Sequence, residues 1–297
     1  MEFNKKLIYK IIDNKIDKIE LMYLNEQELN VLYNALNLNH SLKELILNNN
    51  EIDDITLLCK SLENNSCLKI LYLGYNQIED ISPLKSLKNN SCLNYLDLSF
   101  NKIENITPLK FLKNNSCLKE LNLFDNQIED ISFLCKSLKN NSCLTKLDLR
   151  YNKIEDITPL KYLSNSCLKK LYLSHNQIKD LTLLKYLSNS CLKTLSLCNN
   201  QIKDITPLKF LANNSCLKKL YLNFNKITDI ASLKYLTNSC LEKLDLGFNQ
   251  IEDITPLKYL ENRSCLKLLI LHYNQINNQD KQKIKELTKL KQIELWI

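Results

Sequence analysis

The 297-residue sequence predicts a one-domain α/β solenoid, a curved horseshoe with parallel β-strands on its concave face and short α or 3₁₀ segments on its convex face. Three observations predict this fold. A five-position pattern of three leucines, an asparagine and an isoleucine recurs ten times, and successive copies lie 24 to 26 residues apart. Each copy alternates apolar and polar residues as a strand does, and a short segment with helix-start signals follows it.

Residues 1–41 depart from the pattern, and we expect them to form an N-terminal cap with one degenerate repeat. Leu24 stands where the repeat has its asparagine. Asn25 and Glu28 form a capping box, which predicts the start of a helix. An amphipathic helix is expected near the N-terminus. Its apolar residues are Leu7, Ile8, Ile11 and Ile12.

Residues 42–276 form the ten predicted repeats. In the copy at 168–176, Leu168, Leu171 and Leu173 are expected to point inward, while Ser174 and His175 face outward. The asparagine of each repeat is the expected partner for backbone groups at the bend, where no sheet hydrogen bonds remain. We call these residues the ladder asparagines and predict a structural role for them. They are Asn50, Asn76, Asn101, Asn126, Asn152, Asn176, Asn200, Asn225, Asn249 and Asn274.

After each bend the chain is predicted to return through a short helical segment. Serine or threonine followed by proline is a helix-start signal, and all five prolines occupy this position. Where one residue is added and proline is missing, Cys59 and Cys135 are expected to pack in slightly longer helical turns. Residues 277–297 predict a charged helix followed by a partial repeat, in which Leu290, Ile293 and Leu295 begin a last strand.

Nine of the twelve cysteines occupy one repeat position just before the first leucine. They follow the repeat and not a framework of pairs, so we interpret them as small half-buried packing residues. The sequence contains no apolar run suited to a secretory signal or a membrane span. These features predict a reducing, cytoplasmic compartment and no membrane association.

The ten copies, from Leu42–Ile52 to Leu266–Ile276, resemble the leucine-rich repeat family. The segment DITPLKYL, together with the strand and asparagine that follow it, is similar to internalin-type and phosphatase-regulatory-type repeats. The resemblance implies a binding platform. Two alternative roles are a regulatory subunit of an enzyme such as a phosphatase and a host-interaction (virulence) factor. Abundant lysine, asparagine and isoleucine beside scarce glycine and alanine indicate an A+T-rich gene.

The outward strand positions supply the candidate protein-binding residues. The position before each ladder asparagine, the pre-asparagine column, is aromatic in six repeats, and the position between the second and third leucines, the central stripe, mixes tyrosines with acids. Exposed aromatic residues suit protein binding, although the column could equally stack on itself for stability. The predicted contact residues are Tyr72, Tyr75, Tyr95, Phe100, Phe124, Arg150, Tyr151, Tyr172, His175, Tyr221, Phe224, Phe248 and Tyr273.

Catalysis finds no support in the sequence. There is no glycine-rich phosphate loop and no metal-spaced cluster, and the three histidines fall in separate repeats. The sequence therefore predicts no catalytic residue, no cofactor, no metal and no small-molecule substrate. Another protein is the predicted partner, with self-association at the C-terminal strand edge as a further hypothesis. Nucleic-acid binding through rows of lysines is the alternative of a different class.

Overall fold

The computed structural model describes residues 5–297 apart from 91, 114–115, 140, 165, 188–189, 213, 215, 237–238, 263–264 and 291–293. These residues form two compact units, Met1–Asp148 and Leu149–Ile297. In each unit short strands pair in parallel and in chain order, and short helical segments connect them. The predicted α/β solenoid of repeats is confirmed in each unit.

The first unit contains six strands and four α-helices among its described residues. Each strand is three residues long, and its central residue points into the core. The elements are α1 (Lys5–Ile12), β1 (Lys18–Glu20), α2 (Glu26–Leu36), β2 (Glu44–Ile46), α3 (Thr56–Ser61), β3 (Ile70–Tyr72), a 3₁₀ segment (Ser82–Asn89), β4 (Tyr95–Asp97), a 3₁₀ segment (Thr107–Lys113), β5 (Glu120–Asn122), α4 (Ser132–Ser137) and β6 (Lys146–Asp148).

The second unit continues the same alternation with six further strands among its described residues. Its elements are β7 (Lys170–Tyr172), β8 (Thr194–Ser196), β9 (Lys219–Tyr221), β10 (Lys243–Asp245), β11 (Leu268–Ile270), α5 (Asn278–Leu290), β12 (Glu294–Trp296), and 3₁₀ segments at Thr158–Leu163, Thr182–Leu187, Thr206–Leu211, Ala231–Leu236 and Thr255–Asn262.

The local sequence signals explain where the helices begin. The predicted capping box is confirmed, because the side chain of Asn25 accepts a bond from the Glu28 amide at 3.0 Å and Glu28 accepts one from the Asn25 amide at 3.1 Å. The predicted N-terminal helix is also present as α1. Before the 3₁₀ segments an aspartate or asparagine performs a similar role, as where Asp204 accepts from the Thr206 amide at 2.7 Å.

The added residue at two turns changes the type of helix, whereas the sequence predicted only slightly longer helical turns there. Helices α3 and α4 are α-helical, whereas the other connections within the repeats are 3₁₀. Cys59 and Cys135 are buried in these two helices, which confirms their predicted packing role. Burial also raises the pKa of the Cys59 thiol to about 12, so this thiol stays protonated.

The repeated leucines and isoleucines fill the interior of each unit. Leu171 and Leu173 are fully buried and Leu168 is 4% exposed, so the inward positions were predicted correctly. Each buried leucine stabilises the fold by about 1.5–3 kcal/mol relative to an exposed one. The predicted start of the last strand was wrong in one respect, because Leu290 ends α5. Ile293 lies outside the described residues, and the division into cap, repeats and C-terminal segment stays a prediction.

Candidate functional site

The ladder asparagines hold the bends that follow the strands. In the second unit the Asn176 amide donates to the carbonyls of Leu149 at 2.9 Å and Leu173 at 3.1 Å, and its oxygen accepts from the Ile154 amide at 3.0 Å. Asn76 makes the equivalent bonds in the first unit. Because these backbone groups have no sheet partner, one buried side chain ties neighbouring turns together.

The pre-asparagine column has a backbone conformation that the sequence pattern did not predict. All ten of its residues in the repeats lie in the left-handed region, with φ between 49° and 57°. This conformation costs a residue with a side chain about 1–2 kcal/mol, and asparagine, aspartate and histidine tolerate it best. Six aromatic residues nevertheless occupy the column. Their side chains must therefore gain free energy from stacking or from a partner.

In the first unit the predicted aromatic residues form two groups on the strand face, the sheet face from which the first and third residue of each strand project. Tyr75 stacks on Phe100 with ring centroids 3.9 Å apart, and Phe100 meets Phe124 at 4.9 Å. Tyr72 contacts Tyr95 at 4.9 Å in the other group. Burial raises the pKa of Tyr95, and the nearby charge of Asp97 adds to this shift.

In the second unit the stacked column has two separate segments. Tyr151 stacks on His175 at 3.8 Å, and Phe248 stacks between Phe224 at 4.0 Å and Tyr273 at 4.2 Å. Asn199 lies between the two segments. Its amide nitrogen donates to Nδ1 of His175, which requires that nitrogen to be unprotonated. Burial and the charge of Arg150 lower the pKa of His175, which also favours its neutral form.

The aromatic residues of the pre-asparagine column are stacked, and part of each ring is still exposed. Tyr75 is 51% exposed, Tyr151 42%, Phe224 46% and Tyr273 73%. Stacking therefore covers one or both ring faces and leaves ring edges uncovered. The predicted stabilising role and the predicted binding role are compatible with each other in this geometry.

The acids of the central stripe were placed incorrectly by the sequence analysis. Asp97, Asp148 and Asp245 are buried, not presented for contact. The carboxylate of Asp97 accepts from the Ser99 amide and from the Asn122 side chain, both at 2.9 Å. Ser174 was also expected to face outward, but it is buried. The strand face is therefore lined with hydrogen-bonded polar groups that the alternating pattern alone does not reveal.

A groove crosses the strand face of the second unit. It has a volume of about 630 Å³ and includes predicted contact residues together with hydroxyl and lysine side chains that the prediction omitted. The groove is lined by Arg150, Tyr151, Lys170, Tyr172, Ser174, His175, Thr194, Ser196, Cys198, Asn199, Lys219, Tyr221, Asn223 and Phe224.

The polar groups at the base of this groove are mutually bonded. The hydroxyls of Ser174 and Ser196 lie 2.7 Å apart, and the thiol of Cys198 donates to the side-chain oxygen of Asn223 at 2.7 Å. Burial raises the pKa of Cys198, so its reactive thiolate form is disfavoured. Cys198 is therefore a hydrogen-bonded thiol and not an activated nucleophile.

Charge distinguishes the two units. Residues 1–148 contain 17 lysines against 20 acids, a net charge of −3, whereas residues 149–297 contain 23 lysines and arginines against 13 acids, a net charge of +10. The overall charge of +7 conceals this difference. A count over halves of the sequence would have revealed it, and the sequence analysis missed it.

The described residues contain no group of three or more histidine, cysteine, aspartate or glutamate side chains that could hold a metal ion. None of the helices in the described ranges combines the length and apolar character needed to cross a membrane.

Comparisons with known proteins place this repeat architecture in a class. The family model for leucine-rich repeats (2 copies) matches residues 40–86, 68–111, 118–162, 168–210 and 217–259. These matches cover more than half of the chain, which therefore belongs to the leucine-rich repeat family. The fold of this family is generally a scaffold for protein interactions, and its members are generally not enzymes. A comparison with curated proteins finds no match.

Solved structures refine this assignment to an internalin-like protein. An internalin of Listeria monocytogenes, InlF, is 32% identical with a TM-score of 0.65, and the match covers 97% of this chain and 82% of that one. Internalin C2 of the same species is 32% identical with a TM-score of 0.52, covering 73% and 81%. A leucine-rich repeat protein of Leptospira interrogans, at 24% identity, shares the fold with a TM-score of 0.66, covering 94% and 82%.

Proposed function

We propose that this chain is a protein-interaction module that binds a folded partner on its strand face, predicted to be concave. The observation that carries the proposal is the exposed aromatic column. Its residues combine large ring surfaces with a left-handed backbone that disfavours them, so stability alone is a weak reason for their presence. Exposed aromatic rings in fixed positions provide binding area at little cost in side-chain entropy.

The central stripe supplies the second part of the proposed surface. Tyr72, Tyr172 and Tyr221 are each partly exposed on strands whose backbone is fixed by parallel pairing. The guanidinium of Arg150 lies 5.3 Å from the ring centre of Tyr172, and the ammonium of Lys243 lies 5.0 Å from that of Tyr221. These contacts hold the tyrosines in position before a partner arrives.

The test is capture of partners by the wild-type protein and by a Tyr72→Ala, Tyr172→Ala, Tyr221→Ala variant, followed by binding measurements with the purified partner. The matched control is Tyr186→Ala, Tyr235→Ala, Tyr259→Ala, which removes three tyrosines from the 3₁₀ segments. We expect the first variant to weaken binding at least about ten-fold and the control to retain it. Equal binding by all three proteins, each folded by circular dichroism, contradicts the role proposed for the central stripe.

We further propose a reducing, cytoplasmic location, with either a regulatory role toward an enzyme or a host-directed role. Cys191 is an exposed free thiol, which supports a reducing compartment. Similarity to internalins supports the host-directed alternative. Thiol labelling of the protein in intact cells, before and after reduction, tests the location, and labelling that requires reduction contradicts it.

Self-association at the last strand is a second proposal about partners. Strand β12 pairs with β11, and no other described strand pairs with it. Trp296 is half-exposed on this strand. Such an edge can accept a strand from a second copy. Light scattering across a wide concentration range tests the proposal, and a constant monomer mass contradicts it.

A further inference from the structure

The groove of the second unit is formed by a difference in side-chain size along neighbouring strands. In the sheet register Thr194 lies between Lys170 and Lys219, and Ser196 lies between Tyr172 and Tyr221. Strand β8 thus contributes two small residues, flanked on each side by a lysine and a tyrosine. Because paired strands are roughly 4.8 Å apart, the two lysines start about 10 Å from each other across the groove.

The lysines of this groove have no internal counter-charge. Lys170 and Lys219 are exposed, and neither forms an ion pair with any residue in the part of the chain that the structure describes. The lysines of the first unit's strand face differ, since Lys18 lies 3.0 Å from Glu44 and Lys146 lies 3.0 Å from Glu120. The positive charge in the groove is therefore available to an incoming anion.

The floor of the groove can donate hydrogen bonds to the same anion. The hydroxyl of Thr194 has no partner among the described residues and lies between the two lysines in the register. A carboxylate placed over β8 can therefore reach two ammonium groups and one hydroxyl donor. Hydrogen bonds between charged partners of this kind are stronger than those between neutral ones.

We infer that this groove binds a carboxylate side chain in an acidic segment of a partner protein, between Lys170 and Lys219. The inference rests on the proposed function, because it specifies the partner chemistry of the same strand face. The tyrosines on either side of β8 then contact the apolar parts of the segment. Charge complementarity selects the partner, and the aromatic rings add contact area.

The arrangement favours a protein segment over a nucleic acid. The row of first strand positions reads Lys170, Thr194, Lys219, Lys243 and Leu268, so its cations are interrupted. A nucleic-acid backbone requires contacts to many successive phosphates. The cations over Tyr172 and Tyr221 also occupy ring faces on which bases would stack.

The experiment measures binding of a fluorescein-labelled peptide that alternates Glu and Gly, by fluorescence anisotropy, to the whole chain. The variant is Lys170→Glu, Lys219→Glu. The matched control, Lys209→Glu, Lys234→Glu, makes the same change of charge on the 3₁₀ segments of the same unit. We expect the groove variant to weaken binding at least about ten-fold and the control to change it less than about two-fold. The same peptide with Gln replacing Glu should not bind.

Several outcomes overturn the inference. Equal weakening by both variants shows a response to net charge alone, and an oligothymidine that binds as tightly as the peptide shows a general polyanion site. No binding of the Glu peptide to the wild type also overturns it. If the charge reversal unfolds the protein by circular dichroism, Lys170→Gln, Lys219→Gln replaces it, and unchanged binding by that variant is equally decisive.

The captured partner separates this inference from the proposed function. A partner lost by the tyrosine variant and kept by the lysine variant shows that the strand face binds through other chemistry, so the inference fails and the proposed function stands. A partner kept by both variants contradicts both. A partner lost by both variants and kept by both controls supports both.

Discussion

Lysines on the strand faces of the two units have different surroundings. In residues 1–148, Lys18 and Lys146 each lie 3.0 Å from a glutamate on the neighbouring strand. In residues 149–297, Lys170 and Lys219 lie on either side of Thr194, and no described carboxylate pairs with them. Buried leucines and ladder asparagines recur in the repeats of both units.

The comparison shows how a repeat protein separates stability from recognition. Outward strand residues contact neighbours on adjacent strands and make no contribution to the leucine core, so they can diverge while the fold is retained. Lys18 and Lys146 on the strand face of the first unit are paired with glutamates, whereas Lys170 and Lys219 of the second unit form no ion pair with a described residue. Similar repeat sequences can therefore present paired lysines in one unit and unpaired lysines in the other.

The largest expected effect tests whether the framework is the same in both units. Asn76→Ala and Asn176→Ala each remove a buried amide that bonds three carbonyls and an isoleucine amide. We expect each to lower the free energy of unfolding by about 3 kcal/mol, because the buried backbone groups lose their partners. Urea denaturation followed by circular dichroism measures this.

The neighbouring glutamines provide controls for this prediction. Gln77→Ala and Gln177→Ala remove exposed side chains next to the same asparagines and should change stability by less than about 0.5 kcal/mol. A large loss in one unit and a small loss in the other would show that the two frameworks are not equivalent.

A substitution with a smaller expected effect gives the second unit the lysine–carboxylate arrangement of the first. Thr194→Glu places a carboxylate in register between Lys170 and Lys219, as Glu44 and Glu120 stand beside their lysines. We expect the variant to bind the alternating Glu–Gly peptide about ten-fold more weakly, because the groove now contains its own counter-charge. Thr194→Gln is the uncharged control of the same size. If both variants lose binding equally, the effect is steric and the role assigned to charge is wrong.

The smallest expected effect concerns the buried acids. Burial raises the pKa of Asp97 and of Asp245 above the ordinary 3.8, and the charges of Lys243 and His272 oppose the shift only at Asp245. Protonation therefore stabilises the folded state below the unfolded-state pKa, and this stabilisation is lost as pH rises through the folded-state pKa. The ionised forms at neutral pH are the less favourable ones.

Asp97→Asn should consequently gain stability relative to the wild type as pH rises from about 3 to about 7, by up to about 1 kcal/mol. Asp245→Asn should gain less. Urea midpoints across this pH range measure both differences. A gain that is larger at Asp245, or a loss at neutral pH for Asp97→Asn, contradicts the assignment of burial as the dominant cause.

The spacing of apolar and capping residues in the sequence predicted much of the fold, whereas it predicted the candidate site only in part. The capping box at Asn25 and Glu28 and the helices around Cys59 and Cys135 depend on nearby residues, and all were predicted correctly. The burial of Ser174 and Asp97 was not predicted. Their exposure is set by side chains on strands about 25 residues away in sequence, which a strand pattern does not include.

The sequence by itself determined the parallel strands, the short helical connections and the asparagine positions, because the same local pattern with the same apolar spacing is repeated in every turn. The tertiary structure decided which lysines are neutralised, which acids are buried and that the aromatic column adopts a left-handed backbone. These properties depend on contacts between stacked turns, where residues about one strand spacing apart compete for charge, solvent and space.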